Sequence, residues 1–155
     1  MPVQNYRSVA DMPDPPVRRS GSLTPHFLEP LLKKHAPPLA LSFEGAGGTT
    51  MLATTVEAAV DSKSRKRGLL GRDGLAPGAA LVIAPTNGVH TFFMRFAIDV
   101  VFVARDGRVV KIARAVKPWR ATVALRAFAV VELAAGAVDR AGLRVGDRLS
   151  VGPKD

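Results

Sequence analysis

From Ile98 the chain reads IDVVFVA, an almost unbroken apolar run closed by the turn Arg105-Asp106-Gly107-Arg108. Such a run, with no alternation in it, predicts a strand covered on both faces, and Asp-Gly ahead of a second apolar stretch predicts a hairpin. Arg108 to Val116 then alternates apolar with basic residues and predicts the returning strand. Just upstream, Gly88 to Phe96 threads His90, Met94 and Arg95 among Phe92 and Phe93. Read as a strand, it puts His90, Phe92 and Met94 on one face and Thr91, Phe93 and Arg95 on the other. Thr49 to Val60 is rich in β-branched residues and predicts the first strand, broken near Glu57; Ala79 to Ala84 predicts another. Ala121 to Leu133, centred on FAVVEL, predicts one or two more, and Leu149 to Val151 the last. Asp61 and Ser62 offer caps for a short basic helix from Lys63 to Leu70, and Ala134 to Leu143 reads as a second short helix closed by Gly142. Many short strands divided by turns predict a mainly β fold, an antiparallel β-sandwich or jelly-roll-like barrel with one or two short helices.

Proline changes the picture at one end. Eight of the twelve prolines fall before residue 48, where each removes a ladder donor and fixes φ. Residues 1–48 therefore read as a largely irregular leader and 49–152 as a single β-rich domain. Within the leader, His26 to His35 carries Phe27, Leu28, Leu31 and Leu32 on one short face, expected to pack on the chain's own domain, and Gly45-Ala46-Gly47-Gly48 reads as a flexible joint. The absence of cysteine excludes disulfides, thiolate metal sites and cysteine nucleophiles. No basic segment leads into an apolar core as in a secretory signal, and no 18-residue apolar span exists, so the expectation is a cytoplasmic protein without a transmembrane segment.

The net charge of +9 is uneven: residues 1–48 hold five Lys/Arg against four Asp/Glu, residues 49–155 seventeen against nine. A basic domain attracts acidic or nucleic-acid partners through a salt-screened field. The cations between Arg105 and Arg126 nevertheless come at intervals of three to six, the spacing of a solvated face rather than a block, so polyanion binding is the weaker reading.

Five ordered pieces, RKRGLLGRDGL at 66–76, HTFFMRFAIDVVFVARDGRVV at 90–110, KPWR at 117–120, VVELAAG at 130–136 and GLRVGDRL at 142–149, resemble the domain of unknown function 192 family, a group of small bacterial and archaeal proteins. The resemblance runs from about Met51 to Val151. It implies a compact β-sandwich or jelly-roll-like domain without an established activity, and it points to Gly68, Leu69, Arg72, Met94, Asp99, Glu132, Gly136, Gly146 and Asp147. Members of that family often carry a secretory or lipoprotein leader, where this chain has its proline-rich segment. Many read leucine-proline before the glycine of the Glu132 motif, where this chain has Leu133-Ala134-Ala135.

Asp99 is the sharpest candidate, because an ionised carboxylate inside an apolar run must be paired, hydrogen-bonded or bound to a cation. Arg95 and Arg72 are its candidate ion-pair partners, with backbone hydrogen bonds as the other structural answer. His90 is a candidate ligand or base, since imidazole titrates near neutrality; Met94 beside it is expected in the core. Trp119-Arg120 joins a stacking face to a bidentate fork, suited to planar or anionic groups. Arg72 and Glu132 form a second tier, and the basic helix Lys63 to Arg67 is a candidate phosphate contact without the glycine-rich loop such sites use. The first reading is a non-enzymatic binding module in which His90, Met94, Arg95, Asp99, Trp119 and Arg120 recognise a small ligand or a protein segment, with no cofactor. The second is a small metal-assisted hydrolase using His90, Asp99 and Glu132, which requires their strands to be neighbours.

Overall fold

In the computed structural model, which describes residues 26–154, every residue of the strand Ile98–Val103 is buried, as its unbroken apolar pattern requires. The strands, in chain order, are β1 (Leu39–Gly45), β2 (Gly48–Ala53), β3 (Thr55–Ala59), β4 (Ala79–Ile83), β5 (Gly88–His90), β6 (Ile98–Val103), β7 (Val109–Val116), β8 (Ala121–Val123), β9 (Ala129–Ala134) and β10 (Arg148–Pro153). Two short helices, α1 (Ser62–Arg67) and α2 (Ala137–Ala141), and a 3-10 helix over His26–Leu32 complete the set. A five-stranded sheet in the order β3-β4-β9-β6-β7 packs against a three-stranded sheet β10-β1-β2, and β5 pairs with β8 in a small third sheet. The result is a mainly β, sandwich-like fold whose sheets keep open edges rather than closing into a barrel.

The two faces of the large sheet are built by simple parity. On one face, Val101 and Val103 of β6 and Val131 and Leu133 of β9 interdigitate with Leu41, Phe43, Leu149 and Val151 of the smaller sheet. The opposite face carries Ile98, Val100, Phe102, Val130 and Leu81, and is covered by Leu69 and Met94 from the connecting segments. Gly107 makes the β6–β7 turn possible: its φ of 86° belongs to the left-handed region, and a Cβ there would lie 2.7 Å from the Leu149 carbonyl oxygen.

Several expectations change on contact with the structure. β3 and β4 pair in parallel, Thr55 beside Ala79 through Ala59 beside Ile83, so the sheet is not antiparallel throughout. A parallel pair needs a crossover, and the segment carrying α1 supplies it, which lays the basic helix against the second face of the sheet. Residues 26–48 are not irregular: Phe27 and Leu28 are buried, β1 pairs with both β10 and β2, and Gly45 to Gly48 is the tight end of the β1–β2 hairpin rather than a loose joint. Pro37 and Pro38 stop just before β1, where they take no ladder hydrogen bond away from the strand. The proline-rich stretch 1–25 lies outside the described residues. The long first strand is divided at Thr54 into β2 and β3. Among the described residues no helix is long and apolar enough to cross a membrane.

Candidate functional site

Glu132 sits in β9, the middle strand of the large sheet, opposite Leu81 of β4 and Val100 of β6. Strand alternation places it with Val130 on the second face, where its neighbours are apolar, and only 4% of its surface is exposed. Its Oε2 is fully buried and has no hydrogen-bond partner among the described residues. Burial pushes its carboxyl up from the ordinary value of 4.5 to about 7, against a smaller opposing pull from the positive charge of Arg72. Arg72 does not neutralise it, because its Nη1 and Nη2 donate to the two carboxylate oxygens of Glu57 at 3.1 and 2.8 Å.

A cleft of about 360 Å3 opens above Glu132 between α1, the turn after it and the β5 segment. The local sequence explains α1 well. The Asp61 side chain accepts the Ser64 amide at 2.9 Å as N-cap, and Gly68, with φ 46°, ends the helix by donating its N–H to the Ser64 carbonyl. Leu69 then turns inward and is buried, while Arg65, Lys66 and Arg67 line the cleft. Arg65 is anchored through Nη1 to the Val60 carbonyl at 2.7 Å; Lys66 and Arg67 are exposed and take part in no ion pair among the described residues. His90 and Met94 complete the opposite wall, with Met94 buried and His90 exposed. The Nδ1 of His90 accepts the Phe92 amide at 3.3 Å and its ring stacks on Phe92 with centroids 4.9 Å apart.

The strand expected to run on from His90 stops there. Thr91 to Ala97 is a set of turns, in which Phe93 has φ 63° and Thr91 and Met94 are buried while Phe92 and Phe93 are exposed. Trp119, with φ 64°, leans on Phe93 at 4.7 Å and on Phe92 at 5.9 Å, so three exposed aromatic rings flank His90. Two bulky residues in the left-handed region cost backbone energy and hold only where neighbouring structure fixes them. Thr91 fixes them. Its amide donates to the Arg120 carbonyl, its carbonyl accepts the Trp119 amide, and its Oγ1 donates to the Lys117 carbonyl at 2.7 Å while accepting the Arg120 amide at 2.9 Å. The sequence placed Thr91 only on a strand face with Phe93 and Arg95 and gave it no role; a threonine between His90 and two phenylalanines was its only signal. Thr91→Val keeps the shape but leaves the Lys117 carbonyl and the Arg120 amide without this partner, and is expected to cost about 2 kcal/mol in urea unfolding.

The remaining candidates are not gathered with the cleft. Asp99 lies on the other face of the sheet, 1% exposed, and among the described residues neither Arg95 nor Arg72 pairs with it. Its Oδ1 accepts the Ala115 amide at 2.8 Å and its Oδ2 the Val138 amide at 3.0 Å. Arg95 pairs instead with Asp73 at 2.6 Å, and the Arg120 guanidinium donates to the Trp119 carbonyl at 3.2 Å. The patch anticipated from His90, Arg95, Asp99, Trp119 and Arg120 therefore does not form around Asp99. Nor do His90, Asp99 and Glu132 converge: the sheet itself separates the two acids, and among the described residues no three His, Asp or Glu side chains are grouped to hold a metal ion. His90, Met94 and Glu132 come together, and the basic helix joins them.

A family model described as "Uncharacterized ACR" matches residues 44–151. Among solved structures, a protein of unknown function from Novosphingobium aromaticivorans DSM 12444 superposes with a TM-score of 0.65 at 22% identity, covering 76% of this chain and 88% of its own. A protein from Sinorhizobium meliloti 1021, provisionally described as a transcription regulator, superposes with a TM-score of 0.66 at 28% identity, covering 76% and 97%. Both are similar to this chain in fold. No curated protein matches it.

Proposed function

Starting from a chain that belongs to the domain of unknown function 192 family, a membership that names no reaction, we propose that it is a non-enzymatic binding module whose site is the cleft above Glu132. One observation carries this reading. The Oε2 of Glu132 is buried at the floor of an open cleft with no partner among the described residues, and a buried polar atom without a hydrogen bond calls for an external answer, since leaving it unmade is costly. The cleft offers the usual makings of a small-molecule site: an apolar lining from Leu69, Ile83 and Met94 with a few convergent polar groups. The exposed rings of Phe92, Phe93 and Trp119 beside His90 add a surface on which the outer part of a ligand can rest.

A hydrolase built on His90, Asp99 and Glu132 has less support: His90 shares the cleft with Glu132, but Asp99 lies on the other face of the sheet, with its two oxygens held by the Ala115 and Val138 amides. Nucleic-acid recognition has less support still. The described α-helices are six and five residues long, short for reading a groove, and part of the positive charge is paired, as in Arg114 with Asp139 and Arg72 with Glu57.

The reading is tested by titrating the 15N-labelled protein with a library of small fragments. Saturable shifts are expected at the amides of Gly68, Leu69, Met94 and Glu132, and Glu132→Gln is expected to weaken the responding fragments at least fivefold. No saturable response at these amides, or one confined to another face, would reject the cleft as a binding site.

A further inference from the structure

We propose that the cleft takes a small amino carboxylate, its ammonium group seated on Glu132 and its carboxylate held at the lip by Lys66 and Arg67. This rests on the reading of the cleft as a binding site and adds the chemical class of its ligand.

The charge layout comes from two independent elements. β9 carries one acid into an apolar cluster, and α1 presents cations at the mouth above it. An acid enclosed in this way is answered by a cation that also donates hydrogen bonds. Among the described residues no side chain supplies one. Arg72 spends its guanidinium on Glu57, Arg65 is tied to the Val60 carbonyl, and His90 is exposed and stacked on Phe92. Among the described residues these, with Lys66 and Arg67, are the charged or titratable groups lining the cleft or acting on Glu132 from the elements around it. A ligand's ammonium group suits this acid, with three donors to offer two carboxylate oxygens.

The mouth then selects what accompanies the ammonium. A simple alkylamine reaching Glu132 would pass Lys66 and Arg67 with nothing to offset like-charge repulsion, and a simple carboxylate going deeper would meet another carboxylate. A molecule with its positive end inward and its negative end outward matches both. Between them, Leu69, Leu70, Ile83 and Met94 give the apolar wall that a methylene spacer needs. The cleft's 360 Å3 is near the small end of ligand sites, which run from roughly 300 to 1,000 Å3, and suits a compact molecule. Seating an ammonium group also requires Glu132 to be ionised. Because burial holds its carboxyl near 7, binding at neutral pH releases a fraction of a proton.

The test is isothermal titration calorimetry at pH 7 in two buffers of different ionisation enthalpy, using the linear amino acids from glycine to 6-aminohexanoate. Each is paired with the n-alkylamine and the n-alkanoate of matching length. At least one amino acid is expected to bind tenfold or more tightly than both of its single-ended counterparts, with proton release. Glu132→Gln is expected to lose that affinity tenfold and to abolish the proton release. The double variant Lys66→Ala/Arg67→Ala, altered only at exposed positions, is expected to bring the amino acid down to the level of its alkylamine. An alkanoate that binds as well as the amino acid, proton uptake in place of release, or no binding by any member would overturn the amino carboxylate. Saturable fragment shifts at the cleft in that case leave the binding site standing, and their absence removes both.

Discussion

Replacing Asp99 by Ala is expected to destabilise the fold by about 4 kcal/mol, a large part of the 5–15 kcal/mol available to a domain of this kind. Two bonds from backbone amides to its carboxylate are lost, each worth roughly 1.5–3 kcal/mol, and the Val138 amide left behind is buried. Both donors matter locally. Ala115 is held at φ 47°, a conformation an alanine adopts only when something over-determines it, and Val138 lies in the first turn of α2. That helix has five residues and no side-chain cap, so Asp99 supplies from β6 the acceptor its N-terminus otherwise lacks. Asp99→Asn keeps one acceptor oxygen but faces an amide N–H with an NH2 group, and should lose about 2 kcal/mol. Urea unfolding followed by circular dichroism measures both. A loss below 1 kcal/mol for the alanine variant would show that the two backbone segments hold their conformation without it.

How far the sequence carried depended on whether a feature was local. β6, its Asp106-Gly107 turn, β7 and the Asp61-capped helix were legible because each is written in consecutive residues. The parallel pairing of β3 with β4 was not, since nothing in the nineteen residues between them records strand direction. β1 was hidden by Pro37 and Pro38, whose influence ends one residue before it starts. The same division applies to the site. His90, Met94, Asp99 and Glu132 could each be picked out as polar or soft groups in apolar surroundings, yet which acid faced the cleft could not. Alternation within β6 groups Asp99 with Val101 and Val103, and within β9 it groups Glu132 with Val130. Relating those two groupings requires the register Asp99 beside Leu133 and Val100 beside Glu132, a long-range fact. Once that register is known the roles exchange: Asp99, the sharper signal in sequence, is satisfied by backbone, and Glu132, embedded in FAVVEL, is left open.

The open acid makes stability depend on pH with a definite sign. Unfolded, Glu132 titrates near 4.5; folded, near 7. Below 4.5 it is protonated in both states and costs nothing. Between 4.5 and 7 the unfolded chain binds fewer protons than the native one, so stability falls as pH rises, and above 7 the loss is complete at about 3 kcal/mol. Glu132→Gln has no proton to lose at this position. The difference in unfolding free energy between the glutamine variant and the wild type is therefore expected to shift in the variant's favour by about 3 kcal/mol from pH 4 to pH 8, whatever the amide itself costs. Taking the difference cancels the other carboxylates, including Glu57, whose carboxyl is held low by its hydrogen bonds from Arg72 and so acts in the opposite direction. Urea unfolding of both proteins at four pH values supplies the comparison, and parallel profiles would mean that Glu132 is solvated or paired in solution. The same measurement connects to the cleft: a bound cation that keeps the carboxylate ionised restores stability at pH 8 and adds little at pH 5, whereas a ligand seated elsewhere on the molecule stabilises it without regard to the charge on Glu132.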